Sequence, residues 1–243
     1  MRIIINGACG RMGRAVNDAA KSAGIEIAAL VDKFADADGV FTSISDFTGD
    51  ADCVIDFSNH ASAPDVCAFA KARHIPVVIA TTGHTDDEKA AIRDAAKSVP
   101  VFVSANMSIG VAVLCDLTRR AVAMFPGADV EIVEMHHNRK LDAPSGTALM
   151  LADAVKEERP SAKIVCGREG QSKRTPDEIG VHSLRMGNVV GEHTVYISTD
   201  TEVLSLTHRA ETRAVFADGA IVCAKYIVGR EAGIYNMKDV LRG

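Results

Sequence analysis

The 243 residues contain no tryptophan and only three tyrosines. Readers of single-stranded nucleic acid stack bases on aromatic side chains, so this scarcity argues against that class. The formal net charge of −5 argues the same way, because phosphate backbones and anionic membranes attract basic surfaces. No apolar run approaches the roughly 20 residues that a bilayer-spanning helix needs. Met1 leads at once into a strand pattern, so no signal peptide is expected. Cysteine occurs six times, at Cys9, Cys53, Cys67, Cys115, Cys166 and Cys223, with no CxxC pair and no metal-type spacing. The expectation is reduced thiols in a cytoplasmic protein without a metal. Internal repeats and low-complexity segments are absent. What is present is an ordinary composition, 47% hydrophobic and 24% charged. The length suits one large domain or two modest ones.

The densest chemistry lies between Glu134 and Thr147, in EMHHNRKLDAPSGT. An apolar run over 130–133 reads as a strand, and 148–155 reads as a helix. His136, His137 and Lys140 therefore fall in a connection, where functional groups collect. Pro144 is pre-set for a turn, and Ser145 is a good N-cap. The amides of Gly146, Thr147 and Ala148 are expected to be free donors at an anion-binding helix start. The plainer alternative is a solvated basic loop that caps a helix.

The chain opens on a strand, 2–6, followed by Gly7, Ala8, Cys9, Gly10, Arg11, Met12 and Gly13, then a helix over 14–23. A glycine-rich turn between strand and helix lets backbone amides approach a pyrophosphate. A second strand, 25–31, ends in Asp32. An acidic residue about 20 positions past the glycines is placed for the adenosine ribose hydroxyls. Lys33 beside it could instead meet a 2′-phosphate. Further strands are expected at 53–58, 75–80 and 100–104. Helices are expected over 61–73 and from the Thr85–Glu88 capping box to about residue 98. Strands alternating with helices imply a doubly wound parallel sheet, with ligands beyond the carboxyl ends of its strands. Phe57, Ser58, Thr81, Thr82, Ala105 and Asn106 then lie along that edge with the glycine turn.

A helix is expected over 109–125. After the central stretch the pattern changes to strands at 162–166, 181–186, 193–198 and 203–207. These indicate a second, α+β domain. A final helix, 218–228, and the tail are expected to return to the first. The resulting division is a dinucleotide-binding domain of 1–106 plus 216–243 and a substrate-binding and oligomerisation domain of 107–215. Satisfied structural roles suit His182, whereas His193 and His208 could face a cleft.

These motifs resemble the dihydrodipicolinate reductase family nearly end to end. The most specific piece is 136–148, two histidines and a lysine followed by DAPSGTA. Supporting pieces are the glycine turn, Thr81-Thr82-Gly83, Gly191-Glu192-His193-Thr194 and residues 233–237. The resemblance implies a Rossmann-type domain and reduction of a cyclic, unsaturated imine dicarboxylate by NADH or NADPH. It implies His136 as proton donor or acceptor and Lys140 as proton donor. His137, Gly146 and Thr147 would hold the substrate. Gly7, Ala8, Cys9, Gly10, Arg11, Met12, Asp32, Lys33, Ala80, Thr81, Thr82, Ser104, Ala105, Asn106 and Met107 would line the cofactor. A homotetramer built through the second domain is implied as well. Cys9 and Ala80 stand where many members have glycine, and Met107 where many have phenylalanine.

Two other classes fit the motifs less fully. A semialdehyde dehydrogenase needs an activated cysteine beside a histidine, and Cys115 and Cys166 read as packing residues. A dinucleotide-sensing regulator would bind NADH without turnover.

Overall fold

The computed structural model describes residues 1–243. The chain forms two compact units, Met1–Ser108 with Arg213–Gly243, and Ile109–Thr212. No helix is long and apolar enough to cross a membrane.

The first unit is built on a seven-stranded parallel sheet. Its strands are β1 (Arg2–Asn6), β2 (Glu26–Val31), β3 (Val40–Phe41), β4 (Cys53–Asp56), β5 (Val77–Ile79), β6 (Pro100–Val103) and β12 (Gly233–Tyr235). Their order is β12-β6-β5-β4-β1-β2-β3. The chain starts in the middle, at β1, and winds outward both ways, so a crevice opens where β1 and β4 diverge. Ile3, Ile4, Ile5, Val54 and Ile55 are fully buried, as a strand covered on both faces requires. Helix α1 (Arg11–Ser22) packs on α6 (Ala214–Ile227), and α2 (Ala63–Arg73) on α3 (Asp86–Ala95). The capping box at Thr85 and Glu88 is present. Helix α1 begins at Arg11, three residues earlier than the apolar pattern indicates, because the glycine turn itself closes into the first helical turn. The tail supplies β12 beside β6 and then α7 (Met237–Arg242).

The second unit is a five-stranded mixed sheet under two helices. Its strands are β7 (Asp129–His136), β8 (Lys163–Cys166), β9 (Glu178–Arg185), β10 (Gly191–Ser198) and β11 (Val203–Ala210), ordered β11-β10-β7-β9-β8. β7 lies parallel to β9, whereas β10 is antiparallel to β7 and β11. Helices α4 (Ile109–Met124) and α5 (Gly146–Glu158) cover one face. Leu114, Val122, Leu151 and Val155 there pack on Val130, Ile132, Val181 and Val195. The opposite face carries Tyr196 and Leu184, 38% and 43% exposed.

Candidate active site

β7 is the element that corrects the sequence reading. The expected strand ends at Val133, but the observed one continues to His136. Its residues alternate strictly, and every second side chain from Val130 onward is buried. The period of two places Glu134 and His136 on the helix-covered face below Val130 and Ile132. His136 is thus held at a strand end rather than in the loop. His137 and Lys140 follow in the connection to α5.

Glu134 is fully buried and surrounded by hydrogen-bond donors, Ser183 among them. Arg185, next to it on β9, donates through Nη1 to Oε2 at 2.9 Å and through Nη2 to Oε1 at 2.8 Å. The Ser145 amide donates to Oε1 at 3.1 Å. His136 Nδ1 lies 2.5 Å from Oε2. Burial by itself would raise the Glu134 carboxyl, but the Arg185 fork, His136 and Ser183 draw it down to about 2. Burial lowers the His136 imidazole below its ordinary range, against the pull of Glu134. His193 on β10 packs edge-on against His136, with ring centroids 5.1 Å apart. Its Nε2 lies 3.1 Å from Ser145 Oγ. Burial and the adjacent His136 push His193 down to about 4.

Ser145 caps α5, its Oγ accepting the Ala148 amide at 3.2 Å. Ala148 therefore leaves the set of expected free amides, because the capping hydroxyl consumes it. Gly146, at the first helical position, is exposed, and Thr147 is half-buried. The Lys140 ammonium stands 2.8 Å from Asp142 Oδ1. Arg185 Nη2 also donates to the Asp142 carbonyl at 2.6 Å, so the lysine loop and the strand carboxylate share one guanidinium. Imidazole, ammonium and helix start thereby collect in one unit.

The first unit carries a cleft of about 310 Å³ lined by Arg11, Met12, Phe57, Ala80, Ala105, Asn106, Met107, Arg213 and Phe216. Arg11 and Met12, which follow the glycine turn, carry the start of α1 into it. Gly7 has φ +82°, and a Cβ there would lie 2.7 Å from Ser58 Cα. A Cβ on Gly13 would lie 2.1 Å from the Gly7 carbonyl oxygen. Only glycine lets strand, turn and helix approach this closely. No side chain caps α1, and its first turn holds no acidic residue. Open amides, a cation at Arg11 and small residues at Ala80 and Ala105 fit a dinucleotide pyrophosphate and a flat ring. Asp32 holds the turn in place, accepting the Cys9 amide at 2.9 Å and the Phe34 amide at 3.1 Å. Lys33 is exposed beside it. Buried Asp56 accepts from Asn6 at 2.9 Å and from the Ser58 amide at 3.1 Å, which shapes the turn that bears Phe57.

Other expected residues stand a step back from the cleft surface. The Thr81 hydroxyl is turned to His84 Nε2 at 2.9 Å, and Thr82 is exposed. Ser104 Oγ donates to the Asn106 carbonyl at 2.6 Å and so shapes the loop that presents Ala105 to Met107. His182 is bound to Glu131 at 2.8 Å, the satisfied role expected of it. Sequence reasoning missed Glu134 and Arg185 as a pair, and Arg213 and Phe216 in the cleft. A two-residue offset from His136 within a strand could have found Glu134. Arg185 and Arg213 needed the fold.

Residues 1–107 match the family described as dihydrodipicolinate reductase, N-terminus, and residues 110–241 its C-terminus. A 4-hydroxy-tetrahydrodipicolinate reductase of Caldanaerobacter subterraneus subsp. tengcongensis is 43% identical, over 100% of this chain and 98% of that protein. One from an Exiguobacterium species is 40% identical, over 99% and 95%. The solved, dipicolinate-bound dihydrodipicolinate reductase of Paenisporosarcina sp. TG-14 shares the fold, with TM-score 0.81 and 24% identity over 97% of both chains. This chain is accordingly an NAD(P)H-dependent oxidoreductase with a Rossmann-type sheet. More particularly, it belongs to the dihydrodipicolinate reductase family.

Proposed function

We propose that the chain reduces the cyclic imine dicarboxylate 4-hydroxy-tetrahydrodipicolinate to tetrahydrodipicolinate, its ring hydroxyl leaving as water, in diaminopimelate and lysine biosynthesis. The carrying observation is the match of both halves of the chain to one reductase family. NADH or NADPH, when bound, supplies the hydride. Gly7, Ala8, Cys9, Gly10, Arg11 and Met12 would line the cofactor, with the pyrophosphate at the uncapped start of α1. Asp32 and Lys33 meet the adenosine ribose. Ala80 to Thr82 and Ser104 to Met107 line the rest. His137, Gly146 and Thr147 bind a substrate carboxylate, where helix α5 presents its first amides. Lys140 donates the proton that neutralises charge as the hydride arrives. His136, neutral because burial lowers its affinity for a proton, presents Nε2 as a proton acceptor and, once protonated, donor beside Lys140.

A coupled assay tests this reading. Substrate freshly made from pyruvate and aspartate semialdehyde should trigger oxidation of NADH and NADPH. Absence of oxidation with either would reject it. Asp32 favours free ribose hydroxyls and Lys33 a 2′-phosphate, so both cofactors should serve. Lys33→Ala should raise KM for NADPH more than for NADH, and equal effects would place Lys33 away from the phosphate.

The same reading includes a cytoplasmic location, supported by six unbridged cysteines. It includes a homotetramer assembled through residues 109–212. The uncovered sheet face supports it, as do Val203 and Met186, 61% and 53% exposed. Light scattering at micromolar concentration checks it, and a monomer would refute it.

A further inference from the structure

We propose that Glu134, clamped by Arg185, is a positioning residue that holds His136 in one tautomer, with Nε2 bare and directed at the substrate. This deepens the reading above and rests on His136 handling a proton there. An ionised carboxylate only accepts hydrogen bonds. The imidazole nitrogen 2.5 Å from Glu134 Oε2 is Nδ1, so Nδ1 carries the ring proton and Nε2 the lone pair.

Glu134 cannot turn away to release the ring. Its Oε1 is held by the Ser145 amide and by Arg185 Nη2, and its Oε2 by Arg185 Nη1. Arg185 in turn reaches the carbonyl of Asp142, whose carboxylate pairs with Lys140. One buried ion pair therefore sets the imidazole, the start of α5 and the lysine loop together. A planar, two-pronged cation suits that task better than a point charge.

The space around Nε2 supports the same assignment. A Cβ on Gly191 would lie 3.1 Å from His136 Nε2 and 3.4 Å from Cδ2. Gly191 is a strand residue whose backbone lies outside the left-handed region, so conformational freedom does not require glycine there. What glycine provides is clearance beside Nε2. His193 packs edge-on against the imidazole and restrains its rotation.

Nitrogen-15 spectra of histidine-labelled enzyme test this without substrate. Among eight histidines, His136 is assigned as the resonance lost in His136→Gln. Wild type should show a protonated Nδ1 and a bare Nε2. In Glu134→Gln the side-chain amide can donate, so the Nε2–H form should appear. Its kcat should fall by roughly 10²–10⁴-fold, the range that proton-transfer catalysis supplies. The acid limb of its pH–rate profile should move to lower pH, because the neighbouring carboxylate that favours the imidazolium is gone. NADH affinity, set in the other unit, should stay within about twofold. Glu134→Asp should restore part of the Nδ1–H form and part of kcat. A wild-type spectrum with Nε2 protonated would overturn the proposal even if no variant folds. So would a Glu134→Gln enzyme with wild-type tautomer and an unmoved acid limb, whatever its activity, since that marks a purely structural carboxylate. Failure of wild type to turn over the cyclic imine would instead reject the functional reading, while the tautomer result stands on its own.

Discussion

A lysine in a binding loop can serve a dianionic substrate in two ways. It can attract it, or it can deliver a proton during the reaction. Attraction that is equal in ground and transition states changes KM and leaves kcat nearly intact. Lys140, half-buried and aligned by Asp142, suits delivery. Lys140→Ala should cut kcat by roughly 10²-fold or more, with NADH affinity unchanged by calorimetry. His136→Ala should behave alike, and the double mutant should lose less than the product of the two if both act in one step. Near-normal kcat in Lys140→Ala at saturating substrate would leave it a binding residue. Gly191 gives a second test at this scale. Gly191→Ala puts a methyl 3.1 Å from Nε2, tighter than a relaxed contact. It should lower kcat by about tenfold with little loss of thermal stability, since a strand accepts alanine. Unchanged kcat would mean that the ring shifts aside freely.

The elements divide by how plainly their sequences announce them. β1 and the glycine turn were legible because a buried parallel strand is a continuous apolar run and the turn admits no substitute for glycine at Gly7 and Gly13. α3 was legible from its capping box. β7 was not, because its last buried positions hold Glu134 and His136, and a polar pair interrupts the apolar signal that marks a strand. The lengths of β10 and β11 were cut short for a related reason: Gly191, Glu192, His208 and Arg209 are polar or small, and they join the sheet through cross-strand pairing. Arg185 entered the site only through the parallel register that sets it beside His136. No local pattern encodes a register between strands 42 residues or more apart. The glycine turn yields a prediction of its own. In Gly13→Ala the new Cβ would meet the Gly7 carbonyl oxygen and Ala8 Cα, both backbone, at 2.1 and 2.6 Å. The turn and α1 must separate, which removes the open amides from their position. NADH should bind at least tenfold more weakly, about 1.4 kcal/mol, by calorimetry. Binding within twofold of wild type would show that the pyrophosphate does not rest on this turn.

At the scale of the whole molecule, the acid response should be governed by the unit that holds the imidazoles. His193 is 4% exposed, and its pKa falls from 6.5 to about 4 on folding. The unfolded chain therefore binds a proton that the folded chain refuses. Stability from this residue is complete above about pH 6.5, declines as pH falls to about 4, and is flat below; the loss is roughly 3 kcal/mol. Glu134 works in a lower window. Its folded pKa of about 2 lies under the unfolded 4.5, so its contribution is full above about pH 4.5 and lost on the way down to 2. Both groups belong to Ile109–Thr212, and their losses follow one another as acid is added. Urea midpoints measured between pH 7 and pH 3 should fall in two stages. His193→Gln removes the imidazole and keeps a side chain that can bond to Ser145. It should make the stage below pH 6.5 shallower, leaving the part that His136 and His208 contribute, and leave the lower stage in place. Hydrogen exchange should locate the upper stage in the amides of β7 and β10. An unaltered slope in His193→Gln would mean that His193 takes up its proton in the folded state as readily as in the unfolded chain, and that this histidine carries none of the acid sensitivity.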